Sequence, residues 1–340
     1  MNEKILDLDV LSAPEELWKA YFDHADAIQR EMDPDDPLLP REKRRLLIRS
    51  AFKVPYMNKA IYLALADGGE AAGFASVSVE NEKSPSYPSN KHICNLTLSV
   101  LGKYRRKGLG TRLLRHITAD LAVKEPAVTE FLTPVILEAG RLFFNRSGGT
   151  VSLEQSSNRL YLKDLDWAMV EAWAAEGVRR NPATKVIKTP VIPEEDIKKY
   201  SKVYSETINQ QPLGDLSLKM EITPAEIRLH EEQNLANGVE ETTIYTSESD
   251  GSVSGLTETL YLKEAGHKVT QLLTGVRADC RGRGLGKLLK ALMLLHIRKA
   301  YPGVKYIATG NADSNAPMLA INNKLGFKKH LPVSLYKLKI

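Results

Sequence analysis

The chain of 340 residues has little of several features that mark particular protein classes. Its two cysteines, Cys94 and Cys280, are too few for a disulfide framework and suit a reducing compartment. No apolar run approaches the ~20 residues of a membrane-spanning helix. Residues 1–7 have no basic region followed by an apolar core, so we expect neither a membrane partner nor a signal peptide. These absences favour a cytoplasmic protein.

The chain also has no large excess of positive or negative charge. Its net charge is only +5, and basic residues lie beside acidic ones along most of the chain. We therefore expect no nucleic-acid surface. The hydrophobic content of 43% is that of a globular protein, and the length suffices for two domains that each bury a core. We expect no metal site.

A glycine-rich turn is the strongest local signal in the chain. It follows an apolar run at residues 269–276 and precedes leucines at helical spacing. Glycines between a strand and a helix let the backbone approach a phosphate, and the helix N-terminus favours negative charge. Leu288 stands where a P-loop needs Ser or Thr, and the third glycine of a dinucleotide fingerprint is missing. The residues that we assign to a pyrophosphate-bearing cofactor are Arg281, Gly282, Arg283, Gly284, Leu285, Gly286 and Lys287.

The same pattern occurs a second time. Val100 and Val276 are each followed five residues later by an arginine and then by Gly-Leu-Gly. Both copies stand between an apolar strand and a leucine-rich helix, which predicts a tandem duplication of one module. The first copy comprises Arg105, Arg106, Lys107, Gly108, Leu109, Gly110 and Thr111.

The pattern Arg-x-x-Gly-x-Gly after a strand resembles the acyl-CoA-binding motif of the GNAT (GCN5-related N-acetyltransferase) superfamily. Residues 311–318, followed by a helix ending in Leu325-Gly326-Phe327, resemble the last motif of that superfamily. The resemblance implies an α+β (α/β) fold of two tandem GNAT-like modules. Each module would be a mixed, mostly antiparallel sheet flanked by helices, with acetyl-CoA as the cosubstrate.

The order of strand-like and helix-like segments fits this layout. We predict an N-terminal module at residues 1–163, a connecting helix at 164–182 and a C-terminal module at 183–340. In the first module two helices at 14–52 precede strands at 59–66, 71–79, 92–100, 130–137 and 159–163. In the second, helices at 193–209 and 224–237 are accompanied by strands at 184–188, 241–247, 253–262, 269–276 and 306–309 and by a C-terminal strand.

The resemblance also assigns residues to the cofactor. The strand before each glycine turn would bind the pantetheine arm through its backbone, at Thr274, Gly275 and Val276 in the second module and at Leu98, Ser99 and Val100 in the first. Asn311, Asn315 and Asn322 would orient the cofactor or cap helices.

The tyrosine acid that many members of the superfamily carry is missing from both modules. Its position holds Asn322 in the second module and Phe144 in the first, and neither side chain is a useful proton donor. The first module also ends in Gly148-Gly149 in place of Gly-Phe. We therefore predict a degenerate first module and a catalytic second one.

For the general base we select Glu258, within an otherwise apolar strand that would run beside the cofactor strand. A carboxylate in such a strand faces either solvent or the cleft. Tandem relatives can place a glutamate early in the cofactor strand itself, but Thr270 and Gln271 occupy those positions here.

We therefore expect an N-acetyltransferase that moves an acetyl group from acetyl-CoA to a primary amine of a small molecule. Acetylation of a protein or peptide is the rival within enzymes, and a non-catalytic acyl-CoA sensor is the rival from another class. The sequence leaves open the acceptor, the general acid and the choice between monomer and homodimer.

Overall fold

A computed structural model describes residues 3–340 of the chain; Met1 and Asn2, which belong to the segment searched for a signal peptide, lie outside the described residues. The chain forms two compact units. Unit 1 contains residues 3–154 together with Gly214–Leu218 and Val333–Ile340, and unit 2 contains Gln155–Leu213 and Lys219–Pro332. These bounds differ from the predicted ones because the C-terminal strand belongs to unit 1 and the predicted connecting helix belongs to unit 2.

Unit 1 begins with a short strand that the sequence analysis did not predict, followed by the two predicted helices. Its elements are β1 (Lys4–Asp7), α1 (Glu15–Met32), α2 (Arg41–Ala51), β2 (Met57–Leu65), β3 (Ala71–Glu80), α3 (Tyr87–Asn90), β4 (Ile93–Val100), α4 (Leu109–Lys124), β5 (Glu130–Val135), α5 (Glu138–Arg146) and the start of β6 (Thr150–Tyr161).

The sheet of unit 1 is mixed and mostly antiparallel. The strand order is β1-β2-β3-β4-β5-β12, where β12 is Lys328–Lys339, and only β4 and β5 run parallel. Residues 334–339 of β12 pair antiparallel with β5, and Tyr336 and Leu338 enter the core of this unit. The last strand of the chain thus completes the sheet of the first unit.

Unit 2 repeats the arrangement. Its elements are the end of β6, α6 (Trp167–Arg180), β7 (Lys185–Thr189), α7 (Ile197–Ile208), α8 (Pro224–Ala236), β8 (Val239–Ser247), β9 (Val253–Leu262), β10 (Lys268–Val276), α9 (Leu285–Ala300), β11 (Tyr306–Ala312), α10 (Ala316–Leu325) and the start of β12.

The sheet of unit 2 has the order β6-β11-β10-β9-β8-β7, and only β10 and β11 run parallel. Helix α6 packs on α9 within this unit. A Cβ atom added at Gly177 would lie 2.7 Å from that of Leu288, so only a glycine allows so close an approach. Each unit is therefore a mixed, mostly antiparallel sheet flanked by helices, which confirms the predicted fold class.

Two local signals explain where key helices begin. Thr223 accepts a hydrogen bond from the Glu226 backbone N–H while the Glu226 carboxylate accepts one from the Thr223 N–H, forming a capping box at the start of α8. Gly108 and Gly284 adopt φ angles of 80° and 86° immediately before α4 and α9. Side chains with a Cβ rarely adopt this conformation, which explains a glycine at the same point of both turns.

Neither a metal site nor a membrane span is found in the part of the chain that the structure describes. Residues 3–340 contain no group of three or more His, Cys, Asp or Glu side chains that could hold a metal ion. None of their helices is sufficiently long and apolar to cross a membrane. Both cysteines are buried as free thiols.

Candidate functional site

A cleft opens in unit 2 where β10 and β11 separate. The two strands pair only through residues 268–270 and 306–308, and beyond this point they diverge. A cavity of about 510 Å³ occupies the space between them. Its lining comes from β10 and β11 (residues 270–274 and 308–311), from the helices α7, α9 and α10 (Tyr204, Ile208, Lys290 and Met318) and from Ser157, Gln211 and Asn315.

A β-bulge lies in β10 at the mouth of this cleft. Gln271 pairs with Thr259 and Thr274 pairs with Thr257, so Leu272 and Leu273 both stand opposite Glu258. A bulge of this kind takes a residue out of the hydrogen-bonded ladder. The Gln271 side chain stabilises the bulge by donating hydrogen bonds of 2.9 Å to the Thr257 hydroxyl and to the Glu258 carbonyl. Backbone groups of β10 are thus available to a ligand in the cleft.

Glu258 is buried beside the cleft, with 5% of its surface exposed. The Tyr200 hydroxyl donates a hydrogen bond of 2.5 Å to its carboxylate, and Tyr204, which lines the cleft, bonds the same carboxylate. Burial raises the pKa of Glu258 to about 8, because removal from water penalises the charged form more than the tyrosines stabilise it. Of the two orientations that the sequence left open, solvent exposure is therefore excluded.

The glycine turn of unit 2 places the first N–H groups of α9, which have no intrahelical acceptor, at its surface. The charged side chains of the turn have protein partners. Arg283 donates to Asn181, Thr184 and Glu248 at 3.0, 2.7 and 3.0 Å, and Arg281 bonds Gln210. The Lys287 ammonium group lies 5.3 Å from the centre of the Trp173 ring.

Arg180, at the end of α6, is a further cation at this turn. Its guanidinium donates to the Gly282 carbonyl at 3.2 Å and would lie 3.4 Å from a Cβ atom at Gly284. Arg180 has no signal of this role in the sequence, because it is 102 residues from Gly282 in the chain. The nearness of a positive group suits a site for a phosphate.

The three asparagines lie close together near α10. Asn311 and Asn315 line the cleft, and the Asn315 side chain also caps α10 by accepting from the Met318 N–H at 3.4 Å. Asn322 is buried and donates to the Asn311 side chain at 2.8 Å. At the position of the missing tyrosine, this unit therefore has an amide that holds Asn311 in place.

The predicted pantetheine segment follows the bulge directly. Thr274, Gly275 and Val276 pair with Thr257, Leu256 and Gly255 of β9 on one side, and β11 has already diverged on the other. Thr274 lines the cleft. A Cβ atom at Gly275 would lie 2.5 Å from that of Thr207, which explains a glycine beneath α7.

The corresponding strand of unit 1 is built differently. In β4, residues 95–100 pair in step with residues 73–78 of β3, without the register shift seen in β10. His24 covers the strand: its Nδ1 lies 2.8 Å from the Ala71 carbonyl, and the Ser99 hydroxyl lies 2.7 Å from its Nε2. Leu98 and Val100 pack on the core of the unit.

The glycine turn of unit 1 is intact in its backbone but differs in its charges. Arg105 makes two hydrogen bonds of 2.6 Å to the Glu31 carboxylate, and Arg106 has a φ of 62° where unit 2 has Gly282. Lys107 donates to the Lys103 carbonyl at 2.9 Å. In the first turns of α4, Leu109 is buried, Gly110 faces Phe143 and Thr111 is exposed. Phe144 is buried in the core, as expected for a side chain that cannot act as an acid.

Sequence reasoning missed Tyr200, Tyr204, Lys290 and the bulge. Lys290 alone had a visible signal, because it is the only charged residue between Leu288 and Leu295. The tyrosines had none, since their role depends on the packing of α7 over Glu258. A bulge depends on the register of two strands and not on the composition of either.

The comparison with family profiles matches residues 17–135 to the Acetyltransferase (GNAT) family. No curated protein sequence matches the chain significantly.

Among solved structures, the fold resembles a tandem GNAT protein from the clavulanic acid biosynthesis pathway, with a TM-score of 0.76 at 18% identity over 99% of this chain and 98% of the other. A GCN5-related N-acetyltransferase from Sphaerobacter thermophilus gives 0.65 at 16% identity over 99% and 96% of the two chains. The glucosamine N-acetyltransferase region of a fungal multi-domain β-N-acetylglucosaminidase gives 0.67 at 14% identity over 98% of this chain and 38% of that one.

These likenesses extend over both units, and the profile match falls within the first. The GNAT family uses acetyl-CoA as a cosubstrate. Residues 17–135 match the GNAT acetyltransferase family, and the chain as a whole has the fold of tandem GNAT proteins.

Proposed function

We propose that unit 2 transfers an acetyl group from acetyl-CoA to a primary amine of a small molecule by direct attack. The observation that carries this proposal is the position of Glu258, a buried carboxyl group opposite the bulge of the cofactor strand. A candidate base and a bulged backbone then lie beside one cleft, and the glycine turn follows the same strand.

In this mechanism the pyrophosphate binds at the N-terminus of α9, where backbone N–H groups and Arg180 meet it. The pantetheine arm follows Thr274, Gly275 and Val276 to the bulge. The amine nitrogen attacks the thioester carbonyl carbon, and backbone N–H groups at the bulge stabilise the oxyanion that forms. The C–S bond then breaks and the CoA thiolate leaves.

The amine must lose a proton, and Glu258 accepts it. Tyr204 lies between the cleft and Glu258, so we propose that its hydroxyl relays the proton. Asn311 positions the ligand, Asn322 holds Asn311 in place, and neither exchanges a proton. A CoA thiol, with an ordinary pKa near ~8.5, leaves without a dedicated acid, which suits a unit in which an asparagine replaces the tyrosine.

The acceptor is proposed to be small because the cavity of about 510 Å³ is in the range of small-molecule sites. Amino sugars are the first class to test, since one similar structure belongs to a glucosamine N-acetyltransferase region. Protein or peptide acetylation is the alternative, and a non-catalytic sensor would bind acetyl-CoA without turning over any amine.

The test compares wild type with Glu258→Gln on a panel of amino sugars, amino acid derivatives and peptides. The variant should lower kcat by roughly 10²-fold or more, the usual contribution of a general base. Its affinity for acetyl-CoA should remain unchanged. In the wild type, kcat/KM should rise with pH through about 8, because Glu258 must be deprotonated to act as the base. In Glu258→Gln, the pH dependence of kcat/KM should reflect only the ionisation of the amine substrate. Equal rates and pH profiles would remove Glu258 as the base.

A further inference from the structure

Lys290 is a buried lysine that the proposed mechanism does not use. It lies on α9 with 2% of its surface exposed, and it lines the cleft between β10 and β11. Within residues 3–340 its ammonium group has no hydrogen bond or ion pair. The Phe327 ring, whose centre is 5.4 Å from the nitrogen, is the contact that the structure records for it. A cation is therefore held beside the cleft without an anion.

Such an arrangement is costly for the protein alone. Burial lowers the pKa of Lys290 to about 8, so the group is still mostly charged at neutral pH. An unpaired charge away from water destabilises the folded state unless an anion accompanies it. A ligand that brings an anion into the cleft would remove this cost.

The duplication supplies an internal comparison. Lys290 stands six residues after Gly284, and Leu114 stands six residues after Gly108. Leu114 packs on the core of unit 1, so this position of the helix accepts an apolar side chain in the same fold. A charge is therefore not required there for folding, which points to a role in ligand binding.

The two faces of the unit 2 sheet indicate which ligand group reaches Lys290. Thr259 contacts Met293 of α9 at 3.2 Å, whereas Glu258 points to Tyr200 of α7. Lys290 therefore approaches the cleft from the face opposite to the proposed base. The amine must arrive on the side of the base, so the group near Lys290 belongs to the acyl donor.

We propose that Lys290 pairs with a carboxylate at the end of the acyl group, and that unit 2 prefers a short dicarboxylic acyl-CoA, such as malonyl- or succinyl-CoA, over an uncharged donor. This inference rests on the proposed function of the same cleft. It specifies which class of acyl-CoA serves as the acyl donor. The transfer step is unchanged: the amine attacks the thioester carbon, CoA leaves as the thiolate, and the terminal carboxylate stays on the product.

The test is calorimetric titration of the full chain with acetyl-, malonyl-, succinyl- and butyryl-CoA. Wild type should bind the better of the two dicarboxylic donors at least ~10-fold more tightly than butyryl-CoA, as expected for a charge-assisted hydrogen bond. Lys290→Met should abolish this preference and change acetyl-CoA affinity less than ~3-fold. Lys290→Leu, which copies the residue of unit 1, provides a second variant, and Lys299→Met at the exposed end of α9 is the control.

The outcomes separate the two proposals. Equal affinity for dicarboxylic and uncharged donors in the wild type, or a preference that survives both Lys290 variants, overturns the inference and leaves acetyl transfer standing. If none of the four acyl-CoA esters binds, the proposed function fails together with the inference.

Discussion

At the scale of residues, two buried ionisable groups of opposite kind lie at or beside the cleft. Glu258 and Lys290 lie on opposite faces of one sheet, and burial raises the pKa of the first to about 8 and lowers that of the second to about 8. Perturbed groups of this kind are concentrated at functional sites. Burial of each group lowers the free energy of unfolding of the unliganded protein, and this decrease can be measured.

The cost of Glu258 should depend on pH in a defined window. Its folded pKa is about 8, above the ordinary value of 4.5, so the folded state binds more protons than the unfolded state between these values. The free energy of unfolding of the wild type should therefore fall, relative to Glu258→Gln, as pH rises from 4.5 to 8. The relative loss should be on the order of 4 kcal/mol.

Urea unfolding at several pH values across this window measures the difference. Glu232→Gln is the control, because Glu232 is an exposed carboxylate of the same unit. A stability difference between wild type and Glu258→Gln that stays constant with pH would mean that Glu258 is ionised in the folded protein across the whole range.

At the scale of elements, the sequence predicted a strand, a glycine turn and a helix beside the cleft, but not the geometry that joins them. The strand predicted at residues 269–276 is found at Lys268–Val276, and a helix follows the glycine turn as predicted, at Leu285–Ala300. Alternation of apolar side chains and a glycine at positive φ are local properties, so they can be read from residues alone. The bulge at Leu272 and Leu273 could not be predicted, because it arises from the register against β9.

The same distinction explains the C-terminal strand β12. Its existence was predicted, but its place in unit 1 was not, because an alternating strand does not specify its neighbour. Tyr336 and Leu338 fit the core formed by β5 and α5, and Ser334 donates to Glu154 at 2.6 Å. The pairing of β12 with β5 depends on packing between segments that are far apart in the sequence.

We therefore predict that Leu338→Ala destabilises unit 1, although Leu338 follows unit 2 in the sequence. The loss should be about 2–5 kcal/mol, as for other buried leucines. Amide hydrogen exchange should increase most in β5, with a smaller change in β11. Ile340→Ala, at an exposed side chain just beyond the strand, is the control. Faster exchange confined to unit 2 would contradict the assignment of this strand.

At the scale of the whole molecule, the chain contains one fold twice with different local chemistry. Both units keep the parallel strand pair and the glycine turn. In unit 1, however, the Ser99 hydroxyl is hydrogen-bonded to His24, and the Arg105 guanidinium is hydrogen-bonded to Glu31. Unit 2 has the bulge, the buried carboxyl group and the cleft. The predicted division into a degenerate and a catalytic module stays a prediction, and these contacts favour it.

Both proposals depend on the binding of acyl-CoA at the glycine turn of unit 2. Calorimetric titration of the purified chain with acetyl-CoA, counting sites, tests it most directly when Gly284→Glu and Gly108→Glu are measured alongside. Both variants place a charged side chain at a glycine of positive φ, so each controls for the strain of the other. We expect one site that is lost in Gly284→Glu and retained in Gly108→Glu. Binding that survives Gly284→Glu, or that is lost only in Gly108→Glu, would contradict it.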